Sequence, residues 1–316
     1  MSALLTATDI TKRYHNHTAL DKVSIEVPQG QVFGLLGPNG AGKTSLIRII
    51  NQITAPDEGL VTFLGEPMKA SHVEQIGYLP EERGLYKKMK VGEQAVYLAQ
   101  LKGLSEQQAK KVLVQWFEKF DLMRWWNKKV EELSKGMQQK VQFIVTVIHN
   151  PRLLIFDEPF SGFDPINVNL LKEEILELKK NGSTIIFSTH NMASVEELCD
   201  HITLINKSKN ILSGQVSEIR KQYSENKYQV QLQGEHQPIR DRIQSIAEVV
   251  DENFTSGLLT LTLRLHKGIE SNEILSALMP VAHIKGLREL LPGMNDIFIQ
   301  SVTLANQEKA WSTNNE

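Results

Sequence analysis

The chain has one cysteine, Cys199, among 316 residues. That excludes an internal disulfide and leaves burial to hold the fold, which suits a reducing compartment. It also lacks any apolar run near the roughly 20 residues that cross a bilayer as a helix. Service at a membrane would therefore be peripheral. Met1-Ser2-Ala3-Leu4-Leu5 has no basic region and no long apolar core, so no signal peptide is expected. Basic charge is not in excess. Lys and Arg total 35 against 37 Asp and Glu, and nothing in that balance suggests bulk nucleic-acid binding. What remains is ordinary for a globular protein, with 41% hydrophobic and 23% charged residues over a length that suggests about two domains.

One stretch organises the rest. Gly37-Pro38-Asn39-Gly40-Ala41-Gly42-Lys43-Thr44 fits G-x-x-x-x-G-K-[ST] at every fixed position. Val32-Phe33-Gly34-Leu35-Leu36 enters it as a buried strand, and Ser45-Leu46-Ile47-Arg48-Ile49-Ile50 leaves it with helical spacing. A strand, a glycine loop and a helix N-terminus in that order make a phosphate cradle, because free backbone N–H groups and the helix dipole favour an anion. Lys43 is placed to reach β- and γ-phosphates, and the Thr44 hydroxyl to ligate Mg²⁺.

Other segments gain meaning from that loop. Leu153-Leu154-Ile155-Phe156-Asp157-Glu158 is an apolar run closed by two carboxylates, the pattern of a buried parallel strand. Its exit should lie beside the phosphate loop, with Asp157 placed for Mg²⁺ and Glu158 to orient or deprotonate a water. Thr184 to His190 repeats the design, and His190 is either a hydrogen-bond donor to a phosphate or a structural strand-end histidine. Leu4 to Ile10 and Val23 to Val27 alternate with period two, as in a small antiparallel sheet. Between them Tyr14 is either a stacking surface for a base or an edge-strand tyrosine. From about Gly92 to Val130 the pattern is helical. Ser105 to Gln108 predicts a capping box, and Val112, Trp116, Phe117 and Phe120 predict a helical core. Ser134 predicts an N-cap for a helix with Gly136 in its first turn, where glycine costs about 1 kcal/mol against alanine. Beyond a polar stretch at Tyr223 to Asn226 the order is βαββαβ, a ferredoxin-like sequence of elements with no catalytic constellation. The tail from Asn306 is polar and expected to fray.

Taken together, these segments resemble the ATP-binding subunit of an ABC transporter over about residues 3 to 220. The closest likeness is to the bacterial sodium- and drug-export type, with a C-terminal extension. The loop from Gly37 to Thr44, with Ser45 after it, matches Walker A, and Leu153 to Glu158 matches Walker B. Glu81 falls at the Q-loop. Ser134-Lys135-Gly136-Met137-Gln138 falls at the signature, Ser161 to Asp164 at the D-loop, His190 at the H-loop and Tyr14 at the adenine-stacking aromatic. Two positions depart from the family pattern. Lys135 and Met137 replace a glycine and the glutamine of the signature, while Ser134 and Gly136 are retained. Glu81 replaces the usual glutamine. As a carboxylate it remains a ligand for Mg²⁺, with Thr44 and Asp157, but it adds negative charge near a triphosphate.

The resemblance implies an α/β fold: a P-loop cassette of mixed sheet, antiparallel β part and helical part, with a small α+β domain after it. The expected division is 1–222 for the cassette, 223–305 for the accessory domain and 306–316 for the tail. It also implies an ATPase with ATP and Mg²⁺ as ligands, Glu158 and His190 in hydrolysis, and signature groups that act on ATP held by another subunit. The partners it implies are a second cassette, identical or homologous, and a permease at the cytoplasmic face of the cell membrane, with export as the outcome and no nucleic acid involved. An ABC ATPase outside transport is the alternative. Such proteins carry two cassettes in one chain or a long coiled-coil insertion, and neither is in this sequence. The C-terminal domain would additionally suit a regulatory binding module.

Overall fold

The computed structural model describes residues 2–82 and 84–313, with side chains described as far as 307. Two compact units result. One runs to Val216 and takes in the chain again from Gln300, and the other is Ser217–Ile299.

The first unit opens with two long strands, β1 (Ala3–Tyr14) and β2 (His17–Pro28), followed by the short β3 (Val32–Leu36) and helix α1 (Lys43–Ile50). Strands β4 (Glu58–Phe63) and β5 (Glu66–Pro67) return the chain to β1, giving an antiparallel sheet of order β2-β1-β4-β5. A second sheet takes β3 as a central strand. It adds β6 (Ile76–Leu79), β7 (Leu153–Asp157), β8 (Thr184–Thr189), β9 (His201–Asn206) and β10 (Lys209–Gln215) in the order β10-β9-β3-β8-β7-β6. Its strands run parallel except for the hairpin partner β10. Every residue of β3, β7 and β8 is buried, which explains their apolar stretches, such as 153–156 and 185–187: a parallel strand is covered on both faces. Leu46 and Ile50 of α1 join Leu5, Ile10 and Val23 from one sheet and Leu35, Ile155 and Ile186 from the other in a single core. The phosphate-loop helix is thus clamped between the sheets.

The helical part is α2 (Val91–Leu101), α3 (Glu106–Lys119) and α4 (Lys135–Val147), with two short 3₁₀ turns before α4. Ser105 caps α3 as its sequence predicts. Its Oγ accepts from Gln108 N at 3.3 Å, and Gln108 Oε1 accepts from Ser105 N at 3.0 Å. The inward face of α3 is Ala109, Leu113 and Phe117, with Phe120 following, while Val112 and Trp116 are only half-buried. Trp116 instead flanks an aromatic chain, Phe120–Phe143–Phe156, with centroids 5.9 and 5.5 Å apart, which ties the helical part to β7. Gly92 is fixed by contact, since a Cβ there would lie 2.3 Å from the Trp126 ring. Helices α5 (Pro165–Lys180) and α6 (Met192–Leu198) complete the connections between the parallel strands, and α7 (Val216–Gln222) follows β10.

The second unit is β11 (Lys227–Gly234), α8 (His236–Ile243), β12 (Ala247–Thr255), β13 (Leu258–Leu265), α9 (Ser271–Leu278) and β14 (Ala282–Leu290). The sheet order β12-β13-β11-β14, with every pairing antiparallel, is the ferredoxin-like arrangement the element order implies. Strand β13 buries every second residue, Leu259, Leu261, Leu263 and Leu265, in one core with Ile239, Ile243, Ile274 and Leu278 of the helices. The last helix, α10 (Met294–Thr313), runs on through the polar segment from Asn306, so that segment is helical as far as Thr313 rather than frayed. Asn206 Nδ2 donates to Asn306 Oδ1 at 3.4 Å. Among the described residues no helix is long and apolar enough to cross a membrane.

Candidate functional site

The loop between β3 and α1 is shaped by close approach. At Gly37, φ is +150°, and a Cβ would lie 2.2 Å from the Ile205 carbonyl oxygen. At Gly42, φ is +116° and a Cβ would meet the Ala19 carbonyl oxygen at 2.4 Å. Neither position admits a side chain. Lys43, at the start of α1, is buried, and its Nζ donates to the carbonyls of Gly37 at 2.7 Å and Pro38 at 3.3 Å. Burial pushes its pKa down from the ordinary lysine value, opposed by Glu158, Asp157 and Glu81.

Parallel strands β7 and β8 bring their exits to this loop, with Asp157 and Ser188 as register partners. Asp157 is buried. Its Oδ1 accepts from Ser188 Oγ at 2.8 Å and its Oδ2 from Thr44 Oγ1 at 3.5 Å. Burial raises its pKa, and the Glu81 and Glu158 carboxylates add to the rise, while the Ser188 hydrogen bond and Lys43 oppose it. Glu158 follows at φ +48°, an unusual conformation for a residue with a side chain, held by its N–H donating to the Ser188 carbonyl at 3.0 Å. Its Oε1 lies 2.8 Å from His190 Nδ1, and its Oε2 accepts from Thr189 Oγ1 at 3.5 Å. An Nδ1–H donated to the carboxylate satisfies that contact and leaves Nε2 as the nitrogen for a phosphate.

These groups line a cavity of about 440 Å³ with Tyr14, the loop residues from Asn39 to Ser45, Glu81, Asp157, Glu158 and His190. Gly37 and Pro38 contribute through the carbonyls that hold Lys43, not as walls. His17, Ala19 and Ser161 also line the cavity, and the first two were missed in the sequence. The signal for them is the β1–β2 hairpin, whose register pairs Tyr14 with His17. Tyr14 is 39% exposed, with Lys12 Nζ 5.5 Å from its ring centroid. A larger cavity of about 640 Å³ lies elsewhere, beside the Lys119, Glu174 and Glu177 cluster. It has no phosphate loop, and its size alone assigns it nothing.

Two sets of predicted residues stay outside the cavity of this chain. Ser134 caps α4, its Oγ accepting from Met137 N at 3.3 Å, and Gln138 Nε2 donates to the Leu133 carbonyl at 3.0 Å. Lys135 and Gly136 lie in the first turn. A Cβ on Gly136 would meet nothing nearer than Phe163 Cδ1 at 3.9 Å, so packing within the chain does not require glycine there. Asp164 caps α5, accepting from Asn167 N at 3.0 Å.

Mg²⁺ is bound by hard oxygens, usually one or two carboxylates together with phosphates. The approach of Thr44 Oγ1 to Asp157 Oδ2 beside the loop supplies that donor set, with Glu81 on the same cavity wall. Among the described residues no group of three or more His, Cys, Asp or Glu is arranged as an all-protein cage.

A phosphate loop facing two carboxylates and a histidine from adjoining parallel strands defines a P-loop nucleoside triphosphatase. The comparisons with known proteins narrow this. Residues 20–161 match the ABC transporter family, and residues 214–302 match the C-terminal domain of DrrA1-3-like ATP-binding proteins. The ABC transporter ATP-binding protein YhaQ of Bacillus subtilis is 41% identical over 95% of this chain and 98% of its own length. Nod factor export ATP-binding protein I of Mesorhizobium japonicum is 36% identical over 65% of this chain and 61% of its own. Among solved structures, an ATP-binding subunit of an ABC transporter superposes with a TM-score of 0.65, at 31% identity, over 70% of this chain and 93% of its own. The chain belongs to the ABC transporter ATP-binding proteins, the subunits that bind and hydrolyse ATP for transport.

Proposed function

We propose that this ATPase drives export through a separate membrane permease and works as a head-to-tail pair of cassettes. The second cassette is another copy or a homologue. The observation that carries the proposal is the convergence of Lys43, Thr44, Asp157, Glu158 and His190 on one cavity, while a Cβ at Gly136, in the first turn of α4, would have Phe163 Cδ1 at 3.9 Å as its nearest neighbour. In this reading the loop from Gly37 to Ser45 holds the phosphates of ATP, and Tyr14 stacks on adenine. Thr44 and Asp157, with Glu81 near them, would hold Mg²⁺, which supplies charge neutralisation on the phosphates when bound. Glu158 takes a proton from the attacking water, and His190 steadies both Glu158 and the γ-phosphate.

The α4 N-terminus, Ser134 to Gln138, offers its N–H groups and dipole to the γ-phosphate held by the opposed protomer. Lys135 adds positive charge there. Closure on ATP moves the permease and hydrolysis resets it. Export is supported by likeness to the Nod factor export protein, and the cargo class that the family resemblance implies is an ion such as sodium or a drug- or lipid-like molecule. Permease contact places the chain at the cytoplasmic face of a membrane. In this reading residues 1–222 are the working cassette and 223–305 an accessory domain, with 306–316 after it, while the compact units divide at Val216/Ser217 and Ile299/Gln300. The test is Glu158→Gln with ATP. A nucleotide-dependent dimer that does not turn over is expected in size-exclusion and phosphate-release assays. Hydrolysis that persists when pairing is blocked would overturn the proposal.

A further inference from the structure

The two carboxylates that end β7 are held separately by the residues that end β8. Ser188 is fully buried, and its Oγ donates to Asp157 Oδ1 at 2.8 Å. A hydroxyl has one proton to give, and this one is committed to Oδ1. The other oxygen, Oδ2, is the one that meets Thr44. The next residue, Thr189, sends its hydroxyl to Glu158 instead.

Packing does not demand a hydroxyl at position 188. The three residues before it on β8, Ile185, Ile186 and Phe187, are equally buried and apolar. The hydroxyl occurs where register sets the strand against Asp157. Buried Thr184, the other polar residue early in β8, has its own backbone partner, Gly30 N.

We infer that Ser188 is a positioning residue for the divalent cation: it fixes the Asp157 carboxylate so that Oδ2 faces Thr44 and the phosphate loop. This rests on the reading of Thr44 and Asp157 as the Mg²⁺ side of the site. Partners that orient a metal-binding group matter because a carboxylate free to rotate presents the wrong oxygen part of the time. Losing one commonly costs 10–100-fold in metal affinity or activity.

The test titrates the full chain with a fluorescent ATP analogue, in EDTA and across a series of Mg²⁺ concentrations. In Ser188→Ala the affinity in EDTA should match the wild type, while the Mg²⁺ midpoint of nucleotide binding rises about tenfold. Thr189→Ala should leave that midpoint in place, because its hydroxyl serves Glu158. In an Asp157→Asn background, Ser188→Ala should add no further shift. If Ser188→Ala fails to fold, Ser188→Cys keeps a donor, though a weaker and slightly larger one, and should shift the midpoint in the same direction. Midpoints within about twofold of wild type, in folded variants that bind nucleotide in EDTA, overturn the inference alone. Absence of nucleotide binding in every condition overturns it together with the reading of the site.

Discussion

Glu158 Oε1 and His190 Nδ1 lie 2.8 Å apart at the ends of adjoining parallel strands. The positive φ of Glu158 turns its side chain toward the cavity that contains Lys43. Such a backbone persists only where the surroundings hold it, here through the N–H of Glu158 on the Ser188 carbonyl. Glu158→Gln preserves shape and removes the base. Nucleotide affinity should stay near wild type while phosphate release falls about 10²–10⁴-fold, the usual worth of a general base. A turnover rate within tenfold of wild type would remove Glu158 from that role.

Gly136 separates a role between subunits from one within the fold. An added Cβ meets no atom closer than 3.9 Å, and alanine is favoured over glycine in a helix by about 1 kcal/mol. Gly136→Ala should therefore leave thermal stability unchanged or slightly raised, with nucleotide binding by the isolated protomer intact. Hydrolysis should nevertheless fall about tenfold or more, as expected when groups aimed at a developing phosphate charge are displaced. Unaltered hydrolysis in a stable Gly136→Ala protein would mean that this helix end does not approach nucleotide.

Glu81 shares the cavity wall with Asp157 and Glu158, against one ammonium among the described lining residues, that of Lys43. A triphosphate entering there meets three carboxylates. Glu81→Gln should tighten ATP binding about two- to fivefold at low salt, as a few tenths to 1 kcal/mol of repulsion is relieved across a partly solvated site. The gain should shrink at high salt, because the repulsion is screened. Titration of a fluorescent nucleotide at both salt concentrations decides. Weaker binding by the glutamine variant would show that what the carboxylate contributes as a Mg²⁺ ligand outweighs its repulsion of the phosphates.

The strands and the phosphate loop were legible because their signals are local: five consecutive buried residues in Leu153–Asp157 and fixed glycines at Gly37 and Gly42. Side-chain partnerships were not, since they depend on register between segments far apart in sequence. Nothing near Ser188 indicates that it will face Asp157 until β7 and β8 are paired. His17 enters the cavity for the same reason, carried there by the hairpin that sets it opposite Tyr14. The inner face of α3 was displaced by one position because Trp116 finds aromatic partners at the margin of the core, Phe120 and Phe143. The ferredoxin-like unit was legible as an order of elements, since β13 alternates cleanly between buried leucines and half-exposed residues.

His149, just after α4, gives the chain an acid-sensitive position remote from the nucleotide cavity. Burial lowers its pKa from 6.5 to about 4, with the Lys102 ammonium pushing the same way and the Ile76 backbone opposing, and neither ring nitrogen has a hydrogen-bond partner among the described residues. Lys102 is anchored there by donating to the carbonyls of Val73 and Ile76 at 3.4 and 3.1 Å. The folded chain therefore keeps His149 neutral, while the unfolded chain protonates it below its ordinary value. Stability should be fully present above about pH 6.5 and lost as pH falls from there through about 4, because the unfolded state binds the extra proton over that window. With allowance for solvent screening, the loss between about pH 7 and pH 5 is on the order of 1–2 kcal/mol. Urea unfolding at the two pH values should show it as a lower midpoint with an unchanged slope. His149→Gln, which carries no titrating group, should lose less than the wild type over the same interval. An equal loss in the two proteins would place the acid sensitivity in other groups.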